Sequence, residues 1–130
     1  MIIDTSALIA VFKREDRARE VATAALSAAE LRISAATLVE LTAVVASLRE
    51  VAAHGHLAAL LADWRVETVS FDATQAALAQ HAYRDYGRGS GHPAKLNLGD
   101  CYSFALAKAK DEPLLYVGDD FSHTDIRSAL

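Results

Sequence analysis

Four short apolar segments recur between helical stretches, and this alternation limits the fold more than any other feature of the chain. They are Met1-Ile2-Ile3, Leu31-Arg32-Ile33-Ser34, Val66 to Phe71 and Leu114 to Val117. Between them, apolar residues fall at helical spacing over Thr5 to Phe12, Ala18 to Ala29, Ala36 to Val51, Leu57 to Trp64, Ala73 to Tyr86 and Asn97 to Lys110. Strands alternating with helices imply a mostly parallel sheet covered on both faces. The expected fold class is therefore α/β: an α/β/α sandwich with a central, mostly parallel sheet of four to five short strands, in a single domain over residues 1–130. In such sheets ligands bind beyond the carboxyl ends of the strands.

Local signals refine the element ends. Asp16 is a candidate N-cap for the second helix, and Leu38, Leu41, Val44, Val45 and Leu48 form the apolar stripe of the long third one. Asp72-Ala73-Thr74-Gln75 reads as a capping-box variant. Gly87 to Pro93 is the one clear loop, and the chain shows no repeat, low-complexity tract or linker.

Composition enters as a filter on function. With 130 residues, 52% of them apolar and only two prolines, the chain can bury a core without staples. Cys101 is the only cysteine, so no internal disulfide forms and secretion is not suggested. Asp4 breaks any signal-peptide reading, and no apolar run approaches membrane-spanning length, so a soluble, cytoplasmic protein is expected. The net charge of −4 argues by itself against a nucleic-acid binder. That objection weakens if several acids collect in one pocket and bind cations.

The acids do fall at one edge. Asp4 ends the first strand, Asp119 and Asp120 follow the fourth, Glu40 lies early in the helix after the second, and Asp100 lies in the first turn of the last helix. Each also has a purely structural explanation. Asp4 can cap a helix, Thr37 to Glu40 matches a capping box, Asn97 to Asp100 nearly does, and Asp119 suits a turn after Gly118. Two details favour a pocket. Glu40 shares a face with the small residues Ala36, Ala43 and Ser47. Asp100 sits on a helix that is apolar nearly all round, and such a helix is mostly buried.

Clustered acids need relief. Two like charges ~4 Å apart repel by ~4 kcal/mol at an effective dielectric near ~20. Several such pairs would strain a domain whose whole stability is about 5–15 kcal/mol. The acids must share protons or be neutralised by a cation. Oxygen ligands without a histidine or cysteine set suit Mg²⁺ or Mn²⁺, ions that activate water for attack on a phosphodiester.

The segments "MIIDTSALIA", "SAATLVELTAV", "LNLGDCYSFALAK" and "LLYVGDDFSHTDI" together resemble PIN-domain ribonucleases, specifically VapC-type toxins of toxin–antitoxin pairs. The resemblance covers nearly the whole chain in the family's order. It implies a PIN-like sandwich, Mg²⁺-dependent endoribonuclease activity in which Mn²⁺ can substitute, a homodimer, an RNA substrate and a VapB-type antitoxin partner. Asp4, Glu40 and Asp100 match the family's acids. Asp119 or Asp120 is the fourth, with Asp119 favoured because it comes first off the strand. On this resemblance Asp4 and Asp100 bind the ion, while Glu40 and the fourth acid hold water or complete the site. Ser6, ahead of Thr5, is the hydroxyl that would hold a carboxylate or water.

Other residues carry weaker signals. His54-Gly55-His56 looks like a metal pair but reads better as a loop at a helix junction, and His92 and His123 read as surface residues. Lys13, Arg14, Arg84, Arg88 and Lys95 are the cations near expected loops. Trp64 and the alanine-rich helices suit either core packing or a groove for a dimer or antitoxin. The rivals are a receiver-like signalling domain and a metal-binding module that does not cleave. A receiver needs paired acids after strand one and a lysine after a late strand, and the chain has Asp4 alone and no such lysine after Val117.

Overall fold

The computed structural model describes residues 1–48, 50 and 52–130. In chain order the elements are β1 (Ile2–Ile3), α1 (Thr5–Lys13), α2 (Ala18–Ser27), β2 (Arg32–Ser34), α3 (Ala35–Ser47), α4 (Ala53–Asp63), β3 (Glu67–Val69), α5 (Ala73–Tyr86), α6 (Leu98–Lys110) and β4 (Leu114–Leu115). The four strands form one sheet in the order β3-β2-β1-β4, and every pairing is parallel. This is the α/β architecture expected from the alternating pattern.

Two-residue strands suffice because each residue serves a different core. Successive side chains on a strand point to opposite faces. Ile2 and Leu114 pack with Ala79, Ala82 and the α6 residues Phe104 to Ala107. Ile3 and Leu115 pack on the other face with Ile33 and residues of α1 to α4, among them Leu8, Val21, Leu41 and Leu57. Burial of both faces explains why these strands read as continuous apolar runs rather than alternating ones.

The order also fixes where a ligand can bind. The chain steps from β1 to β2 to β3 in one direction, and β4 then joins on the far side of β1. A topological switch point thus lies between β1 and β4, where connections leave in opposite directions. Asp4 closes β1 there, with its backbone N–H donating to the Leu115 carbonyl at 2.9 Å.

Several ends differ from expectation. α2 is capped by Arg17, without a side-chain cap, so Asp16 does not serve. α3 is capped by Ser34, whose Oγ accepts from Ala36 N at 3.2 Å. Thr37 is therefore inside α3, its hydroxyl 3.2 Å from Ser103 Oγ, and the Thr37–Glu40 capping box does not form. Asp72 does cap α5, but the Gln75 amide donates to the Ser70 carbonyl instead of returning to the cap. α3 reaches Ser47, and Val51, its expected end, lies outside the described residues. α4 begins at Ala53, so His54, Gly55 and His56 are helical rather than a loop. Two residues apart on a helix, the histidines do not face each other, and both are exposed.

Candidate active site

Asp4 is 4% exposed and accepts two hydrogen bonds on Oδ2, from Ser6 N at 2.8 Å and Ser6 Oγ at 2.6 Å. It caps α1, so the structural explanation for this residue is correct, yet capping uses only one oxygen. Ser6 Oγ in turn accepts from Val117 N at 3.1 Å. The serine thus ties Asp4 to the chain just beyond β4, across the switch point.

Glu40 is half-buried on α3 and accepts a hydrogen bond from the Thr5 hydroxyl on Oε2. With the capping box absent, Glu40 has no role at its own helix end. Both hydroxyls flagged in the sequence hold carboxylates: Ser6 holds Asp4 and Thr5 holds Glu40. Against Glu40 lies Gly99, whose contribution single-residue patterns did not reveal. A Cβ at Gly99 would stand 2.7 Å from Glu40 Cδ and 2.8 Å from Cγ and Oε1. Glycine weakens a helix by about 1 kcal/mol relative to alanine, so one in the first turn of α6 was the available signal.

Asp100 completes a reciprocal capping box. Its N–H donates to Asn97 Oδ1 at 3.0 Å, and its Oδ2 accepts from Asn97 N at 2.7 Å. Again one oxygen is committed and Oδ1 makes no hydrogen bond among the described residues. Burial of α6 is as the sequence implied, with Gly99, Cys101 and Ser103 to Ala107 buried.

Contacts bring three of these acids near one another: Ser6 holds Asp4, the adjacent Thr5 holds Glu40, and Gly99, next to Asp100, lies against Glu40. Burial pushes the Asp100 carboxyl up to about 7; the Asn97 N–H opposes this, while Asp4, Asp120 and Glu40 add to it. Burial also raises Glu40, the Thr5 hydroxyl opposes it, and the charge of Asp4 adds to it. Asp120, not Asp119, is the neighbour that Asp100 feels. β4 stops at Leu115, the chain turns at Gly118, φ +105°, and both Asp119 and Asp120 are exposed. Among the described residues none of Asp4, Glu40, Asp100, Asp119 or Asp120 is in an ion pair.

The donor set fits a hard divalent cation. It is all oxygen, with free atoms on Asp4 and Asp100. Among the described residues, no three such side chains close into a finished cage. Mg²⁺ keeps several waters and binds through one or two carboxylates plus substrate phosphate, so it does not require such a cage. Elsewhere, His123 is exposed, His92 is partly buried, and Trp64 packs partly buried against the core. Arg84 is paired with Asp85.

Comparison with known proteins agrees with this geometry. A family model described as PIN domain matches residues 1–127. The chain belongs to the PIN-domain family. Ribonuclease VapC42 of Mycobacterium tuberculosis is 48% identical over 129 residues, covering 99% of this chain and 98% of its own length. Ribonuclease VapC28 of the same species is 48% identical over 132 residues, covering 100% and 98%. These full-length relatives make it a VapC-type member. A crystal structure of Mycobacterium tuberculosis VapC20, described as a Sarcin-Ricin loop cleaving toxin, has the same fold, with a TM-score of 0.70 and 20% identity over 97% of this chain and 98% of that one. A toxin–antitoxin complex from Klebsiella pneumoniae gives 0.68 and 19% over 95% and 92%. The strand order separately removes the receiver-like alternative, whose order is 2-1-3-4-5.

Proposed function

We propose that this chain is a Mg²⁺-dependent endoribonuclease toxin, with Mn²⁺ able to substitute, that hydrolyses RNA phosphodiesters and is neutralised by a VapB-type antitoxin. The observation that carries the reading is the convergence of three segments at the switch point: Ser6 holds Asp4, the adjacent Thr5 holds Glu40, and Gly99, next to Asp100, lies against Glu40, with none of the three acids in an ion pair among the described residues. The names of the full-length relatives support the substrate class. When bound, the ion supplies Lewis-acid polarisation of the phosphodiester and a more acidic water at neutral pH.

The chain's own residues supply the rest. Asp4 Oδ1 and Asp100 Oδ1 are the free oxygens that would hold the ion, each fixed by a hydrogen bond to its other oxygen. Pre-set donors of this kind lose little entropy on binding. Glu40, oriented by Thr5 and raised by burial, is placed to take a proton from attacking water. Asp119 or Asp120, both exposed, would be the fourth acid. The reading includes a homodimer and a cytoplasmic setting. No helix among the described residues is long and apolar enough to cross a membrane.

Labelled RNA incubated with the purified protein and Mg²⁺, then with EDTA, tests the reading. Cleavage should need the ion and vanish in Asp100→Asn. Cleavage that persists in EDTA, or a folded Asp100→Asn cutting at the parental rate, contradicts it. Expressed alone, the chain should arrest growth, and Asp4→Asn should not.

A further inference from the structure

Residues 86 to 99 contain no acid, in a chain that carries 17. The stretch holds Arg88, His92 and Lys95, and these three line one pocket of about 330 Å³ with Gly89 and Gly91. Among the described residues neither Arg88 nor Lys95 has an acidic partner, unlike Arg84 and Lys108 on the flanking helices. His92 Nδ1 accepts from Ala94 N at 3.2 Å, so the neutral ring carries its proton on Nε2 and can donate. The ring stands edge-on to Tyr86, with centroids 4.9 Å apart. The pocket is therefore lined by hydrogen-bond donors with no competing carboxylate.

The backbone is shaped to present them. Gly87 and Leu96 form a bridge, and Arg88 N donates to Leu96 O at 3.0 Å, closing the loop at its base. Gly89 and Gly91 have φ of +90° and +83°, and nothing lies within 4 Å of the Cβ each lacks. Their role is conformation, and open space surrounds them. Lys95 has φ +50°. The other non-glycine residues in that region all end helices: Arg14 and Asp111 are C-caps, and Arg65 follows one. Lys95 ends none. A side chain held in a costly backbone conformation without a capping role points to a function for the side chain.

We propose that the pocket of Arg88, His92 and Lys95 is a phosphate-binding subsite that seats the backbone of the RNA strand beside the acidic site. The inference rests on the ribonuclease reading. Lys95 is five residues from Asp100, no more than about 18 Å along an extended chain. A cationic seat there offsets the repulsion that the acids exert on a polyanion, and it explains how a chain of net charge −4 can bind RNA.

Anisotropy of a short labelled single-stranded RNA, in EDTA across a salt series, tests the subsite. The double variant Arg88→Ala, Lys95→Ala should bind about tenfold more weakly, and its slope of log K on log salt should fall by about 0.7, one phosphate contact. Lys110→Ala, an equally unpaired cation at the far end of α6, should change neither. In Mg²⁺ the double variant should show raised KM and a near-parental kcat. A double variant with parental affinity and slope overturns the inference and leaves the ribonuclease reading standing. So does one that binds RNA normally but loses its protein antitoxin, which would assign the pocket to that partner. A parent that binds RNA through these residues yet cuts none in Mg²⁺ keeps the subsite and removes the ribonuclease reading.

Discussion

The two edges of the sheet are both acidic, and they treat their acids differently. At the amino edge, Arg32 pairs with Glu30, Glu67 and Glu112, and the Met1 amine pairs with Glu112. Ile2, Arg32, Glu67 and Leu114 sit in register there, so the pairs link all four strands at their starts. At the carboxyl edge, Asp100 is raised by burial and by the charges of Asp4, Asp120 and Glu40, and among the described residues none of these acids is in an ion pair. One edge is balanced by the chain itself; at the other, no acid has an ion-pair partner among the described residues, and on the proposed function a divalent cation balances them. On the proposed function, partnering rather than the number of acids separates a structural cluster from a binding one.

Reversing a charge role at each edge gives the largest contrast. Asp100→Asn or Asp4→Asn should lower RNA cleavage by roughly a thousandfold, several kcal/mol of lost transition-state stabilisation, with the fold intact. Arg32→Ala should leave cleavage near parental but lower the urea midpoint, because three glutamates lose a charged donor. Single-turnover cleavage and urea melts of the same preparations separate the two. Equal loss of cleavage in both would mean that the edges are not functionally distinct.

Gly99→Ala probes the packing beneath the acids. Alanine normally favours a helix by about 1 kcal/mol, but here the added methyl meets Glu40. Moving Glu40 off its Thr5 contact should cut kcat by about a hundredfold. A variant that melts higher and cleaves normally would show that the Glu40 position is not required.

The pH dependence follows from Asp100. Its folded value, about 7, lies above its ordinary value of 3.8, so between these the folded state holds a proton that the unfolded state has lost. Stability of the metal-free protein should therefore be greatest below pH ~4 as far as this group is concerned, and fall as pH rises through about 7, by a few kcal/mol at most. Glu40 is shifted the same way. Asp100→Asn should flatten the slope, and no amino-edge substitution should. The smallest effect is expected for Ser6→Ala, about 1 kcal/mol of stability and a severalfold loss of cleavage, since Asp4 keeps its bond to the residue 6 N–H.

The contrast between the edges also marks what the sequence could convey. Strand and helix identities were legible because burial on both faces of a parallel sheet leaves apolar runs, as at Ile2-Ile3 and Leu114-Leu115. The acids were legible by position, since the carboxyl-edge rule needs only element order. Partners were not. Thr37-Glu40 has the letters of a capping box, and only Ser34 taking the cap one turn earlier shows that Glu40 is free for the site. Element order alone does not choose between Asp119 and Asp120, which follow the turn at Gly118 and are both exposed. Asp16 lost its cap role because α2 starts from Arg17. Gly99 carried no sequence motif, because its reason is a neighbour 59 positions away in the chain, Glu40.

Thermal melts with and without Mn²⁺, of the parent and Asp100→Asn, test the uncompensated edge most directly. In EDTA above pH ~7 the variant should melt higher than the parent, because one repelling charge is gone. Mn²⁺ at a hundredfold excess over its dissociation constant should stabilise the parent by roughly 2.7 kcal/mol and the variant by far less. A parent that gains nothing from the ion, together with a variant that melts no higher in EDTA, would contradict the account: the carboxyl edge would then be as self-sufficient as the amino edge.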